Sequence, residues 1–295
     1  MRRTIAVGAV GLCLCGAVFA DRGSIPYDPS VRVFEPNQRA MIAWNGDEEI
    51  LLLSTDLSAS AQTKVLEVLP LPSEPKVKKG SLETFARATR IINKYQQRRP
   101  GGWALGRARK ALDEAPAGEV TFHKKIGPHE ISVTHVLDGA RFVNWVVNYL
   151  NSQGVEKVVI DEKFRAICEQ YIADRFQWFV FDVVELDPSV KTIQPIQYRF
   201  KTDYLFYPLR ITMLDHGHTT IDLIVLTPRL LRRFPGLPVE RIDLPHEPIQ
   251  ISAGELRSID EEMFELLGRR ASMRLRIWQC SGELSSFDRD LIARE

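Results

Sequence analysis

IQYRFKTDYLFYPLRITMLDHGHTTIDLIVLT, residues 196–227, is the stretch on which the architecture depends. Ile196, Tyr198 and Phe200 alternate with Gln197, Arg199 and Lys201, and a period of two places one row on each face of a strand. After Thr202-Asp203, residues 204–212 are again rich in aromatic and β-branched side chains. Pro208 among them cannot donate to a ladder, which puts this segment at a sheet edge or a bulge. Thr219, Ile221, Leu223 and Val225 then alternate with Thr220, Asp222, Ile224 and Leu226 in a more buried strand that Thr227-Pro228 ends. Asp215-His216-Gly217-His218 between the last two segments reads as a hairpin turn, so the whole stretch is expected to be a run of paired strands.

Working outward, Asn45-Gly46 lies between strand-like residues 38–44 and 49–56, and this dipeptide suits a type I′ turn. The unbroken apolar run Ile50-Leu51-Leu52-Leu53 predicts a strand covered on both faces. Residues 64–69 add a third strand, stopped by Pro70, and a meander is the simplest topology. Ser81 can cap a helix bearing Leu82, Phe85, Ala88, Ile91, Ile92 and Tyr95. Two further amphipathic helices carry Phe142, Trp145, Val146, Tyr149 and Leu150, then Phe164, Ile167, Cys168, Tyr171 and Ile172. Strands are expected at 130–137, 176–186 and 272–280. A capping box at Ser252-Ala253-Gly254-Glu255 opens a helix that runs to Gly268, and 284–294 reads as a short polar helix. The fold class is therefore α+β, with mainly antiparallel sheets and amphipathic helices packed on one side.

Residues 96–118 form a polar excursion with a basic cluster at Arg98, Arg99, Arg107, Arg109 and Lys110. Residues 21–295 read as a single domain, within which lobes 21–97 and 119–295 would be the natural division. Residues 1–20 have a basic start (Arg2, Arg3), an apolar run and a small residue at Ala20, the layout of a secretory signal peptide. Cleavage near Ala20 makes the expected location periplasmic or extracellular, with no transmembrane segment in the mature chain. The leader holds Arg2 and Arg3 and no acid, so its loss takes the formal charge from +1 to −1. That balance argues against nucleic acid as a partner. Cys13 and Cys15 leave with the leader. Cys168 and Cys280 remain, in a compartment that permits a disulfide, although Cys168 on an apolar helical stripe also suits a free thiol.

Three blocks carry a family resemblance: EPNQRAMIAWNGDEE at 35–49 continuing through Ser54-Thr55-Asp56, KVLEVLPLPSEP at 64–75, and YPLRIT at 207–212. With these in this order behind a leader, the chain resembles the exported bacterial family known as domain of unknown function 2330. The resemblance runs from about residue 21 to 227. It implies export from a bacterial cell and supplies no activity and no catalytic residue.

Asp215, His216 and His218 are the candidate metal ligands, because imidazole and carboxylate suit zinc or copper and a turn can present them together. A polar hairpin tip is the plainer reading of the same residues. His123, His129 and His135 are evenly spaced, but spacing alone does not bring them together, and isolated histidines are the expectation. No Gly-x-Ser-x-Gly elbow, His-Glu-x-x-His helix or phosphate loop is present. A non-enzymatic protein that binds a small ligand or an envelope component is expected, with a metal-dependent enzyme at the Asp215–His218 turn as the alternative. The cofactor stays unassigned.

Overall fold

A computed structural model describes residues 23–97, 123–136, 139–152, 154, 155, 158, 160–214, 218–233, 242–268 and 272–295. The leader and most of the polar excursion lie outside the described residues. The N-terminal part contains β1 (Gly23–Pro26), β2 (Val33–Trp44), β3 (Glu48–Ala59), β4 (Thr63–Leu71), β5 (Lys76–Lys79) and α1 (Leu82–Gln97). Next come β6 (His123–Ile126), β7 (His129–His135), α2 (Gly139–Ser152), α3 (Glu162–Ala173) and β8 (Trp178–Leu186). Then follow β9 (Lys191–Thr192), β10 (Ile196–Lys201), β11 (Leu205–Tyr207) and β12 (His218–Thr227). The chain finishes with β13 (Ile242–Asp243), β14 (Ile249–Ser252), α4 (Ala253–Ile259), α5 (Glu261–Leu267), β15 (Ser272–Glu283) and β16 (Leu291–Ala293).

The strands form two main sheets. A five-stranded sheet has the order β1-β4-β8-β7-β6, antiparallel throughout. A nine-stranded sheet runs β13-β15-β12-β2-β3-β10-β5, with β14 on β15 and β9 on β3. Its β12–β2 pairing is parallel and its other pairings are antiparallel. Each sheet carries helices on one side. Met41, Ala43, Ile50, Leu52 and Leu226 of the large sheet share a core with α1, α4 and α5. Phe142 of α2 packs on Phe179 and Phe181 of β8, with ring centroids 4.7 and 5.6 Å apart, and Tyr171 of α3 meets Phe179 edge-on. The α+β class with mainly antiparallel sheets thus holds. Ile50–Leu53 is buried on both faces as its unbroken apolar pattern requires.

Several local expectations are overturned. The opening stretch is three separate pairings rather than one run: β10 lies between β3 and β5, β11 pairs β16, and β12 lies between β15 and β2. Pro208 ends β11, and residues Arg210–Leu214 wind into a 3-10 turn where a strand was expected. The meander fails because β4 leaves the β2–β3 hairpin to pair with β1 and β8. Pro70 sits inside β4, opposite Phe179, instead of stopping it. At the β2–β3 turn only Gly46 has a positive φ, of 112°, and the turn closes by a 3.2 Å bond from Asn45 N–H to Glu48 O. Gly46 therefore opens the central pair, the place a type II′ turn gives glycine. The capping box at Ser252 and Glu255 is present, but its helix breaks at Asp260, which caps α5 through a 3.0 Å bond from Met263 N–H. The expected polar helix at 284–294 is a 3-10 turn followed by β16, because Leu284, Phe287, Leu291 and Ala293 are buried.

Candidate functional site

Asp215 and His216, with Gly217, lie outside the described residues. His218 opens β12, exposed, with Glu283 as its cross-strand neighbour. Among the other histidines, His135 is exposed and stacks on Trp178 with centroids 4.5 Å apart. His129 is different, being only 2% exposed.

Strand register brings His129 to two acids. Asp182 of β8 lies directly opposite Glu67 of β4 on one side and Ile131 of β7 on the other. His129 is two residues before Ile131, so all three polar side chains share one face of the five-stranded sheet. Glu67 and Asp182 are each 1% exposed. Candidate ligand atoms of Glu67, His129 and Asp182 lie within 4.8 Å of one another. His129 Nδ1 is 2.5 Å from Asp182 Oδ2, and its Nε2 is 2.8 Å from the carbonyl oxygen of Gln194. A carbonyl only accepts, so Nε2 carries a proton and Nδ1 faces the carboxylate. Gln194 is itself held, donating through Nε2 to Gly80 O at 2.8 Å. Beside Glu67 and His129 a small void of about 10 Å³ opens against Leu53, Thr55 and Leu57 of β3, which places the cluster between the two sheets.

Accessible space lies elsewhere. A surface groove of about 730 Å³ is lined by Pro228, Arg229, Leu230, Arg232, Pro248, Arg274 and Glu295. That volume falls in the range of small-ligand sites. Arg229 reaches Glu295 at 3.2 Å and Arg274 donates to Gln250 Oε1 at 3.0 Å. Leu230 stands 44% exposed among these cations. The groove lining supplies positive charge and apolar contact, and among the described residues that line it Glu295 is the one that could act as a nucleophile or general base.

The family model described as an uncharacterized protein conserved in bacteria (DUF2330) matches residues 10–234. The chain belongs to this family. No curated protein matches it. Among solved structures it is similar to the crystal structure of baculovirus P35, with 9% identity over 92% of this chain and 99% of that one and a TM-score of 0.41. It is also similar to the caspase-8/P35 complex, with 9% identity over 88% and 92% of the two chains and a TM-score of 0.36. Scores this low carry no argument about fold or function.

In this DUF2330 protein the YPLRIT block is structural. Asp290 Oδ1 accepts from Tyr171 OH at 2.6 Å and from the N–H groups of Leu209 and Arg210, each at 2.9 Å. The guanidinium of Arg210 lies 4.0 Å above the Tyr171 ring and bonds Asp174 at 2.6 Å. Burial raises the Asp290 carboxyl, while Tyr171 and Arg210 act in the other direction. Glu49 plays a similar part, accepting from Phe206 N–H at 2.8 Å, and burial lifts its carboxyl well above the usual range. Cys168 and Cys280 are both free and buried, and burial pushes the Cys280 thiol up to about 12. Among the described residues, no helix is long and apolar enough to cross a membrane.

Proposed function

We propose that this DUF2330 protein is an exported, non-enzymatic binding protein of the bacterial envelope, and that the groove of Arg229, Arg232 and Arg274 takes a small amphipathic anion. One observation carries this reading: among the described residues, the buried cluster of Glu67, His129 and Asp182 and the space fit for a ligand share no side chain. Glu67, His129 and Asp182 sit between two sheets with about 10 Å³ beside them, too little for a substrate. The groove has room for one but offers arginines, which bind carboxylate or phosphate through fixed pairs of donors and stay protonated. Exposed Leu230 and the two prolines add an apolar wall for the rest of the ligand. Export rests on the leader-like residues 1–20, and residues 21–295 are taken as one domain.

Calorimetric titration of the chain from residue 21 with hexyl phosphate, hexanol and inorganic phosphate tests the binding reading. Saturable binding is expected for hexyl phosphate and weaker binding for the other two. The double substitution Arg229→Glu and Arg274→Glu should abolish it without changing the circular dichroism spectrum. Hexyl phosphate binding that is absent, or that survives both substitutions, would sink the assignment. Export is tested separately by fusing residues 1–20 to a reporter that is active only outside the cytoplasm.

A further inference from the structure

We propose that Glu67, His129 and Asp182 form a binding site for one divalent transition cation, with zinc as the ion their donors suit, and that the ion ties β4, β7 and β8 together beneath the large sheet. The inference stands apart from the groove and does not depend on it.

The first support is the donor set. One imidazole nitrogen and two carboxylate oxygens from three adjacent strands converge within 4.8 Å of one another. Zinc takes such mixed nitrogen and oxygen sets, at about 2.0–2.2 Å from each donor. The second is the orientation of the histidine. Metal-bound imidazoles nearly always donate their other N–H to a carbonyl or carboxylate, which fixes the ring. His129 Nε2 already makes that bond to Gln194 O, and Gln194 is anchored in turn on Gly80, leaving Nδ1 turned toward the two acids. The third is placement. Glu67 and Asp182 are direct cross-strand neighbours, both about fully buried, so their carboxyl groups meet on one face of the sheet away from solvent. A divalent cation with two carboxylates and one neutral imidazole sums to zero charge, which is the condition for holding ions in a dry interior. The fourth is space. The void touching Glu67 and His129 is about the size that one water needs, so a water can complete a four-coordinate ion.

Binding requires a small rearrangement. Nδ1 and Oδ2, now 2.5 Å apart, must open to about 3.3 Å, the spacing of two ligands on a tetrahedral zinc. The proton they share leaves to solvent as the ion takes its place. Enclosure between the sheets means that the ion enters as the chain folds, and that it acts as a structural clamp with no route for substrate.

The test is made on the whole chain from residue 21, expressed in zinc-supplemented medium and passed through gel filtration before elemental analysis. About one zinc per chain is expected, and the same in the His216→Ala/His218→Ala double variant, because those residues are not ligands in this assignment. Glu67→Gln, which keeps the size and shape of the side chain and removes its charge, should lower the zinc content at least about tenfold with its circular dichroism unchanged. If that variant does not fold, the zinc-edge X-ray absorption spectrum of the unaltered protein decides the matter. One imidazole with otherwise oxygen ligands supports the site, and two or more imidazoles overturn it. Zinc that stays on Glu67→Gln, zinc lost from the His216/His218 variant, or an unaltered protein with under about 0.1 zinc per chain would each overturn it as well.

Discussion

Replacing Asp290 separates the part played by a single oxygen atom from that of the charge. The hydroxyl of Tyr171 and the N–H groups of Leu209 and Arg210 all donate to Oδ1, while Oδ2 faces Arg210 Nη2 at 3.7 Å. Asp290→Ala leaves those three donors, in a position only 5% exposed, without their acceptor. An orphaned buried donor costs about 1–3 kcal/mol, and water entering the vacated space would recover part of that, so the expected loss is about 3–5 kcal/mol. Asp290→Asn retains an oxygen at the Oδ1 position and gives up the charge. Burial already disfavours that charge, as the raised carboxyl shows, so the asparagine variant should lose only about 1 kcal/mol. Urea unfolding at neutral pH, followed by tryptophan fluorescence, measures both. With a slope of about 3 kcal/mol per molar the alanine midpoint should fall by about 1 M or more, and the asparagine midpoint by about a third of a molar. Equal losses for the two variants would refute the account, since the ion pair with Arg210 would then be what matters.

Three further outcomes follow from other groups. Burial raises Glu49, so the folded chain binds its proton up to a higher pH than the unfolded chain does. Stability from this group is complete below the usual glutamate range and is lost as pH rises toward the folded value, by about 1.4 kcal/mol per pH unit at full slope. Glu49→Gln should therefore gain on the parent protein in unfolding experiments as pH rises from 4 to 8, and parallel pH profiles would exclude this cause. Cys168 and Cys280, both free and buried, should be unreactive toward a thiol reagent in the native chain from residue 21 and react fully after denaturation. A non-reduced tryptic map linking the two cysteine peptides would contradict it. Finally, a Cβ on Gly80 would come within 2.2 Å of buried Leu52 Cδ1 and 3.0 Å of Pro195 O, whereas at Gly254 in α4 it meets nothing within 4 Å. Gly80→Ala should cost about 1–3 kcal/mol and Gly254→Ala should add about 0.5 kcal/mol, which a pair of thermal melts distinguishes.

Periodicity made the individual elements legible. Helices at 82–97, 139–152 and 162–173 and strands at 178–186, 196–201, 218–227 and 272–283 all carry their apolar rows where a period of 3.6 or 2 places them. Partners were not legible, because alternation says which face of a strand is buried and nothing about which strand lies beside it. Residues 196–227 are the clearest case. Adjacent strand patterns suggested local hairpins, yet β12 is held by β15 from the far end of the chain and by β2, in parallel, from the near end. The tail at 284–294 failed for a related reason. Leu284, Phe287 and Leu291 stand at i, i+3 and i+7, which is helical spacing, yet the tail is held in another form by long-range contacts, among them the β11–β16 pairing and the three hydrogen bonds to Asp290.

The same long-range pairing explains why the acid–histidine cluster escaped notice. Glu67, His129 and Asp182 form no motif, since each belongs to a different strand, and only the departure of β4 from the β2–β3 hairpin sets Glu67 against Asp182. A local signal did exist. Glu67 interrupts the apolar run VLEVL at 65–69 and Asp182 interrupts FVFDVV at 179–184. An acid at the centre of a run with no polar face has no solvent to point toward, and a buried acid requires a partner. Two such acids in one chain are a reason to search for a shared cation or histidine. Asp215, His216 and His218 stand out in the sequence because they are nearly contiguous, but a short run of polar residues is also what water alone selects. Isolated polar residues inside apolar strands have no such alternative, and this makes them the stronger sequence-level pointer to a site.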